Sequence, residues 1–502
     1  MRRLLPALQN PFELDLRALA LLRIGTGAVV LTDLIIRSTD LVAHYTNLGV
    51  LPLHVLYQYG WNPYVFSLHT SSGLWQVQAL LFALAALTAA ALVLGYKTRW
   101  ATAISWLLLI SLQNRNPLIV QGGDDLLRML LFWGFFLPWG RVYSLDSRKQ
   151  AAPSSYRYFS MVTVAYVVQL ALVYWCTALL KNSPEWTQDG TAIYYALSLD
   201  QILMPLGRLL YPHAELLRGL TFLTYYTELL LPFLLFLPFR ITWWRLLFVG
   251  VLYAFHLGIS LTLFVGLFYL INMASVLGLL PAHVLGKLAA WLHPRWAQLA
   301  ARTHTWRRSW VTWLPVRINV HVQWYPGSRR LLRAGREAAV GALLVYICWW
   351  NLDTLPQFRW KMTEPMRWFG YMFRVDQRWG MFAPAVFKDD GWFILDGTTT
   401  AGQHLDLNRE GQPVEATKPA SVVALFKNDR WRKYSENYLF VANSYMRPYY
   451  CNYLLRIWHE NPAHPPLRQL EVVYMKEVTL PNYRVAPPVR EVLCTCAPAP
   501  RP

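Results

Sequence analysis

The chain has 502 residues; 55% are hydrophobic, 15% are charged, the mean hydropathy is +0.25 and the net charge is +19. A soluble domain carries roughly 25% charged residues, so a soluble globular fold throughout is excluded. Nucleic-acid binding is set aside as the source of the positive charge, because the basic residues flank long apolar runs, where a membrane protein needs them. Five cysteines are too few for a disulfide scaffold.

The N-terminus, MRRLLPALQNPFELDLR, is basic but interrupted by polar and acidic residues. It has no short apolar stretch ending at a small-residue cleavage site, so no removable signal peptide is expected. Nine apolar stretches follow that approach the length of about 20 residues needed to cross a bilayer. They cover 17–37, 75–96, 99–119, 124–140, 158–180, 219–239, 243–262, 264–280 and 336–352. The fourth and ninth are short, and the seventh and eighth nearly fuse, so eight or nine spans are expected. The loop 38–74 has no Lys or Arg, whereas the connections holding Lys97 and Arg99, Arg141 with Arg148 and Lys149, and Arg240 with Arg245 are basic. This bias predicts a cytoplasmic N-terminus and, with nine spans, a C-terminal third in the periplasm or outside the cell.

Residues 281–336 carry many Arg and Trp residues and no acid, the composition of a cytoplasmic segment lying along the membrane interface. After the last span, residues 353–496 read as an extramembrane domain of mixed or mostly β structure. Strand-like stretches lie at 392–397, 421–426 and 470–475, with a turn at Asn408–Gly411. Either Cys494 or Cys496 can meet Cys451 in an oxidising compartment. The Pro-rich end, 497–502, is expected to be disordered. The predicted architecture is a mostly α, polytopic membrane bundle with this domain appended.

There is no phosphate loop, HExxH zinc helix or nucleophile elbow. The chemistry then rests on polar residues beside apolar runs. Lys181, in CTALLKNSPEW, ends the fifth span; such a lysine either snorkels to water or, held in an apolar cavity, serves as a base. His256 lies inside the seventh span, and alone it reads as a buried neutral histidine. Glu228, inside the sixth span, needs a proton or a partner, with Arg128 of the fourth span as the candidate. The loop SLQNRNPLIVQGGDDLLR brings Asn114, Arg115, Asn116, Asp124 and Asp125 to one membrane face, to cap helices or to line a polar mouth.

Several of these segments carry a resemblance in sequential order. LRIGTGAVVLTDLIIR, HYTNLGVLP, LVLGYKTRWAT, LQNRNPLIVQGGDDLLR and FFLPWGRVYSLDS resemble the horizontally transferred transmembrane domain. This is the bacterial branch of the family related to vitamin K-dependent gamma-glutamyl carboxylase. The resemblance spans roughly 12–280, and VDQRWGMFAP with DDGWF resembles the companion domain often fused to it. In the carboxylase a lysine five residues before a tryptophan deprotonates the hydroquinone; Lys181 and Trp186 have that spacing. A Phe-His pair followed by Ser, Phe and Gly is similar to Phe255, His256, Ser260, Phe264 and Gly266.

The resemblance implies an enzyme whose co-substrates are a vitamin K-like hydroquinone and dioxygen, with carbon dioxide needed for carboxylation and no metal. Lys181 and His256 are the implied catalytic residues, and Asn114, Arg115, Asn116, Trp186 and Ser260 the implied substrate contacts. The carboxylase loop has a histidine after paired asparagines where this chain reads Asn114, Arg115, Asn116, Pro117. Quinol epoxidation is therefore the implied reaction, and carboxylation of glutamate is put in doubt. Membrane lipid, the quinol and a peptide or small-molecule second substrate are the expected partners. A non-catalytic protein that binds lipid or assists a partner's maturation is the alternative. A transporter is disfavoured because matching halves with discontinuous helices are lacking.

Overall fold

The structure is a computed structural model, and it describes residues 10–287, 290–291 and 326–498. The chain begins with helix α1 (Leu16–Ser38), capped by Asp15, whose carboxylate accepts the backbone N–H of Arg17 at 2.8 Å. Helices α2 (Trp75–Leu94), α3 (Thr98–Arg115) and α4 (Gly122–Phe136) follow, each packed on the one before. The central helix is α5 (Met161–Leu180), started by a Ser160–Thr163 capping box. Next come α6 (Ala214–Leu230) and α7 (Ile241–Thr262). α6 tightens into a 3-10 stretch at Leu231–Phe236, because Pro232 cannot continue an α-helix. The short α8 (Phe268–Ser275) packs on α1, α4 and α7, and α9 (Pro326–Asp353) packs on α5.

Five helical segments among the described residues are long and apolar enough to cross a membrane: Leu16–Ser38, Trp75–Leu94, Met161–Leu180, Ala214–Phe236 and Ile241–Thr262. They are consistent with a membrane protein. The window on α5 is 78% buried inside the protein, whereas that on Ala214–Phe236 is 22% buried. The outer helices thus present leucines and aromatics such as Leu84, Leu223, Phe233 and Leu257 to their surroundings, as a lipid-facing surface does.

The other four expected spans coincide with helix but not with membrane-length apolar helix. α3 has 18 residues and closes on Gln113, Asn114 and Arg115. α4 has 15 residues, about 22 Å at 1.5 Å per residue, and opens on Asp124, Asp125 and Arg128. The eighth stretch breaks after α8 into a 3-10 turn, Leu277–Leu279. α9 is 28 residues long but carries Arg329, Arg330, Arg333, Arg336 and Glu337 in its first half. Most of the expected interfacial segment 281–336, and 499–502 of the expected disordered tail, lie outside the described residues.

The C-terminal part lies against the bundle. After α10 (Glu364–Met372), the segment 375–384 enters between the helices. Trp379 is fully buried and its Nε1 donates to Asn351 Oδ1 at 2.8 Å, while Gln169 of α5 donates to Gln377 Oε1 at 2.7 Å. Besides the two-residue antiparallel pair β1 (Leu14–Asp15) and β2 (Arg157–Tyr158) at the start of α1 and α5, an antiparallel sheet follows. Its order is β5 (Gln412–Pro413), β4 (His404–Asp406), β3 (Asp389–Thr399), β6 (Leu467–Leu480), β7 (Arg484–Val485), with β8 (Val489–Cys496) also on β6. The register sets Trp392 opposite Met475 and Phe393 opposite Tyr474.

Alternation along β3 sends Phe393 and Leu395 into the main core and Trp392 and Ile394 to the other face. The expected strand at 421–426 is instead a 3-10 turn, Val423–Leu425. Its apolar residues cover the second face of the sheet rather than extend it, with Val422 packed in the cluster of Trp392, Ile394, Val473 and Met475. Helices α11 (Asp429–Leu439) and α12 (Arg447–Glu460) cover the first face, and Cys451 of α12 forms a disulfide with Cys496 of β8, leaving Cys494 free.

Arg430 of α11 joins this domain to the bundle. It contacts Asp33 Oδ1 at 2.7 Å and Asp124 Oδ2 at 2.6 Å. Arg37 completes a closed group, with Asp33 Oδ2 at 2.7 Å and Asp124 Oδ1 at 2.6 Å. The loop 38–74 joins the same junction through Asp40, paired with Lys427 at 2.7 Å, and His44, whose ring centroid lies 4.4 Å from that of Trp431. Gly266, in the turn from α7 to α8, has φ +57° and lies against the Asp429 carboxylate. That position requires both the left-handed conformation and the missing Cβ.

Candidate active site

α5 ends where Pro184, opening a short helix at Pro184–Thr187, forbids its continuation. Lys181 sits at that end with its backbone N–H still bonded to Ala178 O at 3.1 Å. Its side chain turns into the protein instead of snorkelling outward, and is 3% exposed. Nζ lies 2.5 Å from Glu228 Oε2 on α6 and 4.4 Å from the centroid of the Trp186 ring. The expected partner of Glu228, Arg128, is engaged elsewhere: it meets Asp125 at 2.6 Å and Asp376 at 3.4 Å and donates to Arg374 O. The reason is placement, since α6 packs on α5 whereas Arg128 faces the segment that follows α10.

His256, on α7, is 1% exposed. Its Nε2 lies 3.0 Å from Tyr174 Oη of α5, which in turn lies 3.3 Å from Asn272 Oδ1 of α8. His256 Nδ1 has no hydrogen-bond partner among the described residues. Lys181, Glu228, His256 and Tyr174 all line one cavity of about 1150 Å³. Its walls are mostly apolar, from α5, α6, α7 and the 193–210 segment, and include Trp186, Phe255 and Phe268. The C-terminal part lines it too, with Arg378, Met381 and Phe382 from the inserted segment and Arg432, Lys433 and Glu436 from α11. Arg432 and Lys433 both pair with Glu436. Arg378 has no ion pair among the described residues.

Trp186 is buried, and its Nε1 donates to Phe382 O at 2.9 Å, tying the lysine's neighbour to the inserted segment. The structure does not bring the remaining expected contacts to this cavity. Arg115 is wholly buried and donates to Leu51 O at 2.9 Å and Thr46 O at 3.2 Å. Asn114 donates to Phe66 O and accepts from Arg374, and Asn116 donates to His44 O. These three hold the loop 38–74 in place, where the resemblance implied contacts with substrate. Ser260 donates to Leu257 O within its own helix.

Comparison with protein-family models, curated proteins and solved structures finds no match. The chemistry of the cavity therefore stands on its own geometry. A buried ion pair of net charge zero and a histidine with one unpaired nitrogen face an apolar space. That arrangement can exchange protons with a ligand and hold its hydroxyl groups.

Sequence reasoning missed Tyr174 and Asn272, although both left signals. Tyr174 stands seven residues before Lys181 on the same helix, hence on the same face. Asn272 interrupts the apolar run FYLINMAS. Glu228 was noted but given the wrong partner, and Arg378, within the motif VDQRWGMFAP, was not singled out.

A second carboxylate group lies at the edge of the sheet domain, and its Asp390 also lines the cavity. One oxygen each of Asp200, Asp390 and Glu477 falls within 4.8 Å of the others. Lys418 contacts Asp200 and Glu477, so an ammonium already balances part of that charge. Burial, and then the neighbouring Asp200, push Asp390 up to about 7.

Proposed function

We propose that the chain is an integral membrane enzyme that oxygenates a lipid-soluble hydroquinone. The observation that carries this reading is the Lys181–Glu228 pair facing the same apolar cavity as the unpaired Nδ1 of His256. A space of about 1150 Å³ with mostly apolar walls fits a fused-ring quinol with part of its chain.

When bound, the quinol supplies the reducing power: hydroquinone plus dioxygen gives quinone epoxide plus water. Lys181 is the base that takes the hydroxyl proton. Glu228 can receive a proton from Lys181 across their 2.5 Å contact, leaving a neutral amine beside the ligand. The Trp186 face holds the lysine stem in position. The spans keep bulk water from the reacting atoms. The second substrate, a peptide or small molecule, approaches from the side lined by the C-terminal domain, where Arg378 is free to meet an anionic group.

The same reading puts the N-terminus in the cytoplasm of a cell membrane, with the loop 38–74 and the C-terminal domain outside. Supporting it, that Lys/Arg-free loop touches the C-terminal domain, as in Lys427–Asp40 and Arg456 donating to Leu48 O. The Cys451–Cys496 disulfide suits an oxidising compartment. In intact cells an impermeant thiol reagent should label a cysteine placed near Asp406 and spare one near Arg99; the opposite pattern overturns this orientation.

The decisive measurement is oxygen uptake together with quinone epoxide formation by the purified protein given a naphthohydroquinone. Wild type should turn over, and Lys181→Arg should not, because guanidinium stays protonated. Full activity in Lys181→Arg removes the proposed base. A protein that binds the quinol without consuming oxygen is the lipid-binding alternative.

A further inference from the structure

Asn272 sets a direction of hydrogen bonding that ends on His256. Its Nδ2 donates to Phe268 O, one turn back on α8, at 2.8 Å. That bond turns Oδ1, which only accepts, toward Tyr174 Oη at 3.3 Å. Tyr174 has one hydroxyl hydrogen, and Asn272 takes it. The 3.0 Å contact between Tyr174 Oη and His256 Nε2 must then use a hydrogen from Nε2. A neutral imidazole has a single N–H, and no carboxylate pairs with His256 among the described residues to favour its charged form. Nδ1 is left with a bare lone pair, buried and without a partner. An unpaired buried acceptor is costly, and a ligand that brings a hydrogen to it removes that cost.

We infer that His256 Nδ1 accepts a hydrogen bond from a hydroxyl of the cavity ligand, and that the relay Asn272–Tyr174–His256 makes the cavity select a hydroquinone over its quinone. This rests on the quinol reading of the site given above. A hydroquinone presents two O–H donors. A quinone presents only carbonyl oxygens, so at Nδ1 it sets one lone pair against another. Tyr174 and Asn272 are positioning residues: they act by fixing which nitrogen of His256 carries the hydrogen. The cavity thereby takes up the reduced substrate and disfavours the oxidised product or the unreduced pool.

The test measures binding, separately from turnover. A short-chain naphthohydroquinone, the matching naphthoquinone and the hydroquinone dimethyl ether are titrated calorimetrically into the full-length protein in nanodiscs, without oxygen. Wild type should bind the hydroquinone at least about tenfold more tightly than either of the others, the scale of one hydrogen bond. Asn272→Leu frees the tyrosine hydroxyl to donate to Nε2, which moves the hydrogen to Nδ1; the preference should then fall to parity or turn toward the quinone. Tyr174→Phe should also lower it, by releasing the tautomer. A merely structural role for either residue would weaken all three ligands together. His256→Phe should abolish the preference.

Equal wild-type affinity for hydroquinone and quinone, or an unchanged preference in Asn272→Leu, overturns the relay while quinol turnover stands. Failure of all three ligands to bind removes both the relay and the quinol reading. A clear hydroquinone preference without oxygen uptake sustains the relay and removes the oxygenation.

Discussion

At the domain junction, each carboxylate oxygen of Asp33 and Asp124 meets a guanidinium hydrogen of Arg37 or Arg430. Arg37 gives a further N–H to Tyr45 Oη, and Arg430 another to Ile119 O. At the cavity, Glu228 meets Lys181 through one oxygen, and the ammonium has the Trp186 face and open space for its other hydrogens. Both groups are buried and both sum to zero charge, yet only the second faces the cavity. A saturated network resists change because every alternative loses bonds. A sparse pair beside a cavity can shift its proton, or hand it to a ligand, without stranding a partner.

Substitutions can break or sharpen that contrast. The largest effect should follow Lys181→Ala, which removes the proposed base: turnover should fall by about 10³-fold, within the range for loss of a positioned general base, with the thermal midpoint lowered no more than by Glu228→Gln, since a lone Glu228 can take up a proton. Loss of folding together with activity would place Lys181 with the saturated network instead. Next is Arg430→Met, which leaves two buried aspartates sharing Arg37. It should cost about 3–5 kcal/mol, as for other broken buried ion groups. Limited proteolysis should show the C-terminal domain released while the helix signal persists.

Glu228→Gln should cost less stability, about 1–2 kcal/mol, because an amine left beside a cavity can shed its proton rather than stay charged. Its turnover should fall less than that of Lys181→Ala. Equal melting losses for Arg430→Met and Glu228→Gln would erase the distinction between the two groups. The smallest effect concerns Asp390, raised to about 7 by burial and then Asp200, against an ordinary 3.8. The folded protein holds a proton there where the unfolded chain does not, so stability should rise as pH falls from about 7 toward 3.8. Asp390→Asn should flatten that slope, as read from thermal midpoints across the pH series.

The parts of the molecule legible in the sequence are those governed by local composition. α1, α2, α5, α6 and α7 announce themselves because each must be apolar along its length. The stretches 99–119 and 124–140 read as spans too, yet α3 and α4 fall short of membrane-length apolar helices, since helices enclosed by other protein can carry Asn114, Arg115, Asp124 and Arg128 on faces that meet partners. The stretch 421–426 has strand composition but serves as a cover, and composition does not distinguish the two. At the site, Lys181 and His256 could be singled out because polar groups are costly among apolar runs. Their partners could not be assigned, because which helix lies beside which is a tertiary fact. Pairing Glu228 with Arg128 was reasonable on charge and wrong on packing. The inserted segment 375–384 was noticed as a motif, but nothing local indicates that it lines the cavity.

The order of synthesis gives the junction network a further consequence. Asp33, Arg37 and Asp124 leave the ribosome early and together carry one uncompensated negative charge. Arg430, which neutralises it, is made 306 residues after Asp124. Until then the first helices carry an open anionic socket, and the cavity lacks the wall that Met381 and Phe382 provide. The late domain supplies both the Arg430 that fills the socket and the wall that completes the cavity, so a chain truncated before it has neither.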